Sequence, residues 1–200
     1  MSDYSKQELI RQWIEIYETY FGYSDCTFDE DLIPDWYNSN KHYGILVMEN
    51  VSLDETIDAC EQQSEVIWNL SDYIGSARPD IIDSREPNSD YCIIFENVHE
   101  ARRGRETNED EIQEKGITLL ERLLLDIYNY HFYHSHLDQN STTGCSGSVI
   151  SSKFDFEDEK IMTVSAIGIN SESIKIGSFD INRLNNSRVK IRPYLYYCET

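Results

Sequence analysis

The stretch TLLERLLLDIYNYHFYHSHLDQNSTTGCSGS, from Thr118 to Ser148, decides the reading of this chain. Thr118 with Glu121 three residues later forms a capping-box pattern, in which the hydroxyl serves an orphan amide and the carboxylate reaches back. Leu120, Leu123, Leu124, Ile127 and Tyr128 then recur at the spacing of an amphipathic helix. Glu121, Arg122, Asp126 and Asn129 fall between them and are expected to face outward. The pattern predicts a helix from about Thr118 to about Ser135. Beyond it, Asp138 to Ser148 is rich in Ser, Thr, Gly and Asn and reads as a loop.

Upstream, Ser5 with Glu8 and Ser52 with Glu55 repeat the capping-box pattern. The first is expected to open a helix over Lys6–Phe21, with Gly22 as its stop. The second is expected to open one reaching about Ile74, with Leu53, Ile57, Cys60, Ile67 and Ile74 on its core face. Two apolar runs, His42–Met48 and Tyr91–Phe95, read as strands. Both runs are followed by Glu-Asn-Val, which could place Glu49 and Glu96 as paired carboxylates at one sheet edge. His99–Gly116 is a charged run containing Arg102, Arg103 and Arg105. After Ser148 helical periodicity gives way to four strand-like runs, Val149–Phe156, Ile161–Ile169, Ser173–Phe179 and Arg188–Tyr197, the last interrupted by Pro193. The expected fold is α+β: three main helices packed on short strands, with a C-terminal antiparallel β-meander. Residues 1–116 form an acidic α/β part. Residues 117–200 form the central helix plus the meander, the two together making one compact domain.

Acidity is concentrated in the first of these parts. The formal charge is −20, and residues 1–116 carry 27 of the 37 acidic side chains against 9 of the 17 basic ones. Such a field repels nucleic acid and anionic membranes and attracts a basic protein surface. Direct nucleic-acid binding and membrane association are therefore not expected. Five cysteines at 26, 60, 92, 145 and 198 form no CxxC pair, which favours a reducing, cytoplasmic compartment. The opening residues MSDYSKQE have no basic or apolar region of the kind that makes a signal peptide.

Three kinds of site are in view. His131, His134 and Asp138, at i, i+3 and i+7, could share a helix face and ligate a metal, with His136 and Cys145 as further ligands. Cys145, flanked by small residues in TGCSGS, could be a nucleophile served by His131 or His134. Against both, the histidines fall on the apolar face, so neither a cofactor nor an enzymatic activity is expected. The loop Tyr23–Asn40 places Asp29, Glu30, Asp31 and Asp35 beside Trp36 and Tyr37, a mixture suited to a cationic partner. The leading expectation is an acidic protein-interaction module, an inhibitor, antagonist or immunity-type protein acting on a basic or nucleic-acid-binding target. The alternatives are a Cys/His-dependent enzyme or metal-binding protein, and a structural subunit of a larger assembly, such as a viral one, using Tyr194, Tyr196 and Tyr197 at a sheet edge. Oligomeric state is left open.

Overall fold

A computed structural model describes residues 3–69, 81–97, 115–139, 141–150, 160–167, 173–180, 189–191 and 193–200. Helix α1 (Asp3–Ile16) continues into a π-helical turn, Tyr17–Phe21, which ends at Gly22 in the left-handed region with φ +73°. Ser5 lies inside α1 and does not cap it. Glu8 turns instead to Arg11 and Gln12 on its own helix.

Strands β1 (His42–Val47), β4 (Tyr91–Glu96) and β9 (Tyr196–Glu199) form an antiparallel sheet in the order β1-β4-β9. Its apolar runs are buried on both faces, as their continuous hydrophobicity requires. Helix α1 closes the outer edge of β1 with side chains. The Trp13 indole donates to the Gly44 carbonyl at 2.8 Å. The Tyr17 hydroxyl donates to Leu46 O and accepts from Met48 N, each at 3.1 Å. Gly44 permits this approach, because a β-carbon there would stand 2.6 Å from a Leu9 methyl and 3.2 Å from the Tyr37 ring.

The second sheet runs β2 (Glu65–Asn69), β7 (Ser173–Asp180), β6 (Lys160–Ile167), β5 (Thr142–Ile150), β3 (Ile81–Asp83), with β8 (Val189–Ile191) pairing parallel to β5. β5, β6 and β7 form an antiparallel meander. Its first strand starts at Thr142 instead of the expected Val149, and the rest of the expected Val149–Phe156 strand lies outside the described residues. The expected fourth strand, Arg188–Tyr197, divides instead into β8, parallel to β5, and β9, in the other sheet. Each sheet draws on both parts of the sequence: β9 pairs with β4, and β2 adds parallel to β7.

Helix α2 (Leu53–Glu61) has the full Ser52–Glu55 capping box but stops thirteen residues short of the expected Ile74. The amides of Gln63 and Ser64 both close on Cys60 O at 2.9 Å, and Val66, Ile67 and Trp68 leave as a strand. Their β-branched and aromatic side chains suit the ladder with β7 better than a further helical turn. Ile74 and the charged run 98–114, with Arg102, Arg103 and Arg105, lie outside the described residues.

Helix α3 (Leu119–Tyr133) carries the Thr118–Glu121 box. Here the outward-facing expectation fails: Glu121, Arg122, Asp126 and Asn129 are all buried. The helix is enclosed by α1, α2, β1, β5 and β6, so its polar stripe has no solvent to face. The small-residue run after it is strand β5, not loop. At Gly147 a β-carbon would meet Gly116 O at 2.7 Å, so close packing explains the small residues there. Pro193 separates β8 from β9 and bridges to Gly116. Among the described residues no helix is long and apolar enough to cross a membrane.

The Tyr17 hydroxyl satisfies the Leu46 carbonyl of β1 and the Met48 amide just after it. Tyr17→Phe is therefore expected to lower stability by about 1–3 kcal/mol through orphaned buried groups. A reduced urea midpoint with unchanged slope is the expected result, and an unchanged midpoint would contradict this role.

Candidate functional site

The residues that the sequence groups for metal or thiol chemistry are sent in different directions. His131 ties α3 to α1, with Nδ1 2.9 Å from the Tyr20 hydroxyl and Nε2 3.1 Å from Glu15. His134 is the left-handed residue that ends α3, with φ +52°, and it is exposed. Asp138 is fully buried beside Arg122. Cys145 is fully buried in β5, where burial pushes its thiol well above the ordinary range; the Arg122 guanidinium opposes that rise, and Asp83, Asp138 and Glu121 add to it. Among the described residues no group of three or more His, Cys, Asp or Glu is arranged to hold a metal. Glu49 and Glu96 do not meet at one edge either. Each follows or ends its own strand, and β1 and β4 are antiparallel, so they lie at opposite ends of the sheet.

What the fold does assemble is a buried ionic network centred on Arg122. Its guanidinium reaches Asp126 at 3.0 Å, Asp138 at 3.2 Å and the Leu137 carbonyl at 3.3 Å. Asp126 also accepts from Leu137 N at 3.1 Å and bonds His136 Nδ1. His136 Nε2 lies 2.6 Å from Ser64 Oγ, and the Tyr130 ring stacks over the imidazole at 4.6 Å. Burial alone would raise the Asp126 carboxyl, but the Arg122 guanidinium and then His136 outweigh it and hold it low. Ser64, His136 and Asp126 follow the order of a nucleophile–base–acid relay. Their surroundings are those of a clamp: the three are 8%, 0% and 1% exposed, and the Arg122 guanidinium also pairs with the carboxylate. The chain ties the end of α2, the middle of α3 and the segment after it. The i, i+4 spacing of Arg122 and Asp126 was visible in the sequence; its burial was not.

A second network secures the start of α3. Arg85 grips Glu121 bidentately, both contacts at 2.8 Å, and Tyr91 donates to the same carboxylate at 3.1 Å. Ser148 Oγ accepts from Leu119 N at 2.6 Å and donates to Asp83. Burial raises the Asp83 carboxyl to about 6.

A surface feature with room for a ligand lies elsewhere. A cavity of about 150 Å³ opens between α1, the segment before β1, and α3, lined by Glu8, Gln12, Tyr37, Tyr43, Tyr128 and Tyr133 among others. Tyr128 donates to Gln12 Oε1 at 2.7 Å, and Tyr43 donates to Asn129 at 3.4 Å. Burial raises the Tyr128 hydroxyl, and the hydroxyls of Tyr133, Tyr37 and Tyr43 are close enough to raise it further, so four phenols gather here. Glu8 remains a carboxylate, lowered by its bond to Arg11.

The acidic aromatic loop borders this cavity. Asp29 caps the short 3₁₀ turn Glu30–Leu32 by accepting from Asp31 N at 2.9 Å. Asp29, Asp31 and Asp35 are exposed and Glu30 is half-buried. Asp35 pairs with Lys6 at 2.7 Å, which lowers its carboxyl. Trp36 is 49% exposed and stands edge-on to His42 at 5.2 Å and to Tyr196 at 5.8 Å. Tyr37 is buried instead of projecting, because its ring fills the space over Gly44 and lines the cavity. Tyr133, 60% exposed, extends the aromatic surface from α3. Comparison of the chain with family models, with curated proteins and with solved structures returns no match.

Asp83 gives the α3 cap a pH signature. Its folded-state pKa of about 6 lies above the ordinary 3.8, so the stability linked to its proton is complete below 3.8 and lost as pH rises through about 6. Asp83→Asn, which keeps an acceptor for Ser148, is expected to flatten stability over that window. Urea midpoints at several pH values check this, and a pH slope equal to that of the parent would contradict it.

Proposed function

We propose that the chain is an acidic protein-interaction module, of inhibitor, antagonist or immunity type, that binds a basic or nucleic-acid-binding protein. The observation that carries the proposal is the exposed Trp36, on the same loop as the exposed Asp29, Asp31 and Asp35 and next in sequence to Tyr37, which lines a cavity with other tyrosines and Glu8. Aromatic anchors beside charge that steers encounter are a recurrent way to combine affinity with fast association. The cavity suits a lysine or arginine side chain in particular. Phenol oxygens, the Gln12 amide and the Glu8 carboxylate can accept from an ammonium or guanidinium, and tyrosine faces attract a cation. Trp36 is held by ring contacts to His42 and Tyr196, so little ordering is needed on binding.

A second reading has one observation in its favour. β9 is an outer strand of its sheet among the described residues, and its tyrosine-rich neighbourhood could pair with another chain by edge addition, as in a structural subunit. Concentration-dependent mass in light scattering would favour that reading. The Cys/His alternative draws no support from Cys145, whose thiol is enclosed and held protonated by burial.

A lysine-rich peptide, titrated while tryptophan fluorescence is followed, tests the first reading. Trp36→Ala is expected to weaken binding about tenfold or more, while neutralising the exposed Asp58 and Glu61 on α2 changes it far less. The association rate should fall steeply with added salt. Equal losses from both variants, or salt-independent association, would sink the proposal.

A further inference from the structure

Antiparallel pairing sets Cys92 of β4 directly opposite Cys198 of β9. Residues in direct register project from the same face of a sheet, so the two thiols are neighbours. Thr200 N donates to Asp90 O, two residues along, which makes the cysteine pair one of the hydrogen-bonded positions. α-Carbons in such positions stand about 5.5 Å apart, within the ~4.4–6.8 Å that a disulfide spans. The thiols differ in access. Cys92 is fully buried, whereas Cys198 is half-buried. Cys26, Cys60 and Cys145 are buried too, and none of them stands opposite another cysteine in the strand registers.

We infer that Cys92 and Cys198 are an oxidative modification site, closing a reversible cross-strand disulfide in response to a peroxide. Cys198 is the sulfur that meets the oxidant. Its thiolate attacks one peroxide oxygen and breaks the O–O bond, giving a sulfenic acid and, after protonation, one water. The Cys92 sulfur then displaces hydroxide from the sulfenic sulfur. The Cys92 proton leaves with that hydroxide as the second water. Two thiols and one hydrogen peroxide thus yield one disulfide and two waters. The hydrogen-bonded class of pair holds side chains farther apart than a relaxed disulfide prefers, so the bond remains accessible to reduction by thiols.

The consequence reaches the surface described above. Tyr196 occupies the next paired position on the same face, opposite Ile94, and supports the Trp36 ring. Cys198 is close enough to Tyr196 to add to the rise that burial gives its phenol, to about 12. A bond at Cys198 fixes β9 to β4 one pair away from that support.

The full chain treated with a slight excess of hydrogen peroxide tests the inference. Intact-mass and peptide mapping should show loss of two hydrogens, with Cys92 and Cys198 peptides linked and the link removed by dithiothreitol. Amide exchange in β9 should slow several-fold in the oxidised form. Cys198→Ser, a change at a half-buried position, should abolish the link and leave Cys92 reduced, and Cys92→Ala should leave Cys198 open to stepwise oxidation. Linkage through Cys26, Cys60 or Cys145 would overturn the assignment, as would Cys198 progressing to sulfinic acid in the unaltered chain without forming a link.

Discussion

Arg122 is the constraint on which the structure turns. It is wholly buried, it stays charged, and such a charge is tolerated only with opposite charge and hydrogen-bond acceptors close by. Asp126 supplies one carboxylate from the next helical turn and Asp138 supplies the other from beyond the helix. Asp138 is in turn bonded by Thr143 of β5, and Asp126 by His136 and the Leu137 amide. Satisfying one guanidinium therefore fixes the rotation of α3, the path of the segment that leaves it and the first residues of β5. Asp138 accepts a left-handed backbone, φ +57°, within that arrangement. The His136–Ser64 bond extends the constraint to the turn between α2 and β2.

With α3 set, its opposite flank packs against α1 and the segment before β1. His131 and Tyr128 connect α3 to α1 through Glu15 and Gln12. α1 in turn closes the edge of β1 by way of Trp13 and Tyr17. The Tyr23–Asn40 segment crosses this junction, and Gly44 leaves room for Tyr37 to turn inward. Trp36, its neighbour, is left outside among acids. Asp35 pairs with the buried Lys6, while Asp29 and Asp31 are exposed and keep their negative field at the surface.

Much of this could be read from the residues, and the failures share one cause. The Thr118 and Ser52 capping boxes, the apolar strands β1 and β4 and the later meander strands follow from local pattern, whereas β5 begins in the small-residue run that reads as a loop. Ser5 failed as a cap because α1 begins earlier, with a helical residue in place of a turn. The segment after Glu61 kept enough helical spacing to hide β2, whose partner lies more than a hundred residues away. The polar stripe of α3 carried the periodicity of a solvent face, and only the enclosing elements show that it pairs internally. For the site, the acidic loop was legible from composition. Its division into an outward Trp36 and an inward Tyr37 was not, since that rests on a glycine in another strand. The cavity draws on residues from Glu8 to Tyr133, and no sequence window contains it.

The coupling between Arg122 and its distant carboxylate, Asp138, holds this arrangement together. A double-mutant cycle with Arg122→Met and Asp138→Asn, read by urea unfolding, measures it. Arg122→Met alone should lose about 3–5 kcal/mol, because two buried carboxylates lose their counter-charge. Adding Asp138→Asn should restore part of that loss, with a coupling of about 1–3 kcal/mol. Losses that simply add, or an Arg122→Met protein as stable as the parent, would contradict the claim that this buried charge sets the arrangement of the fold.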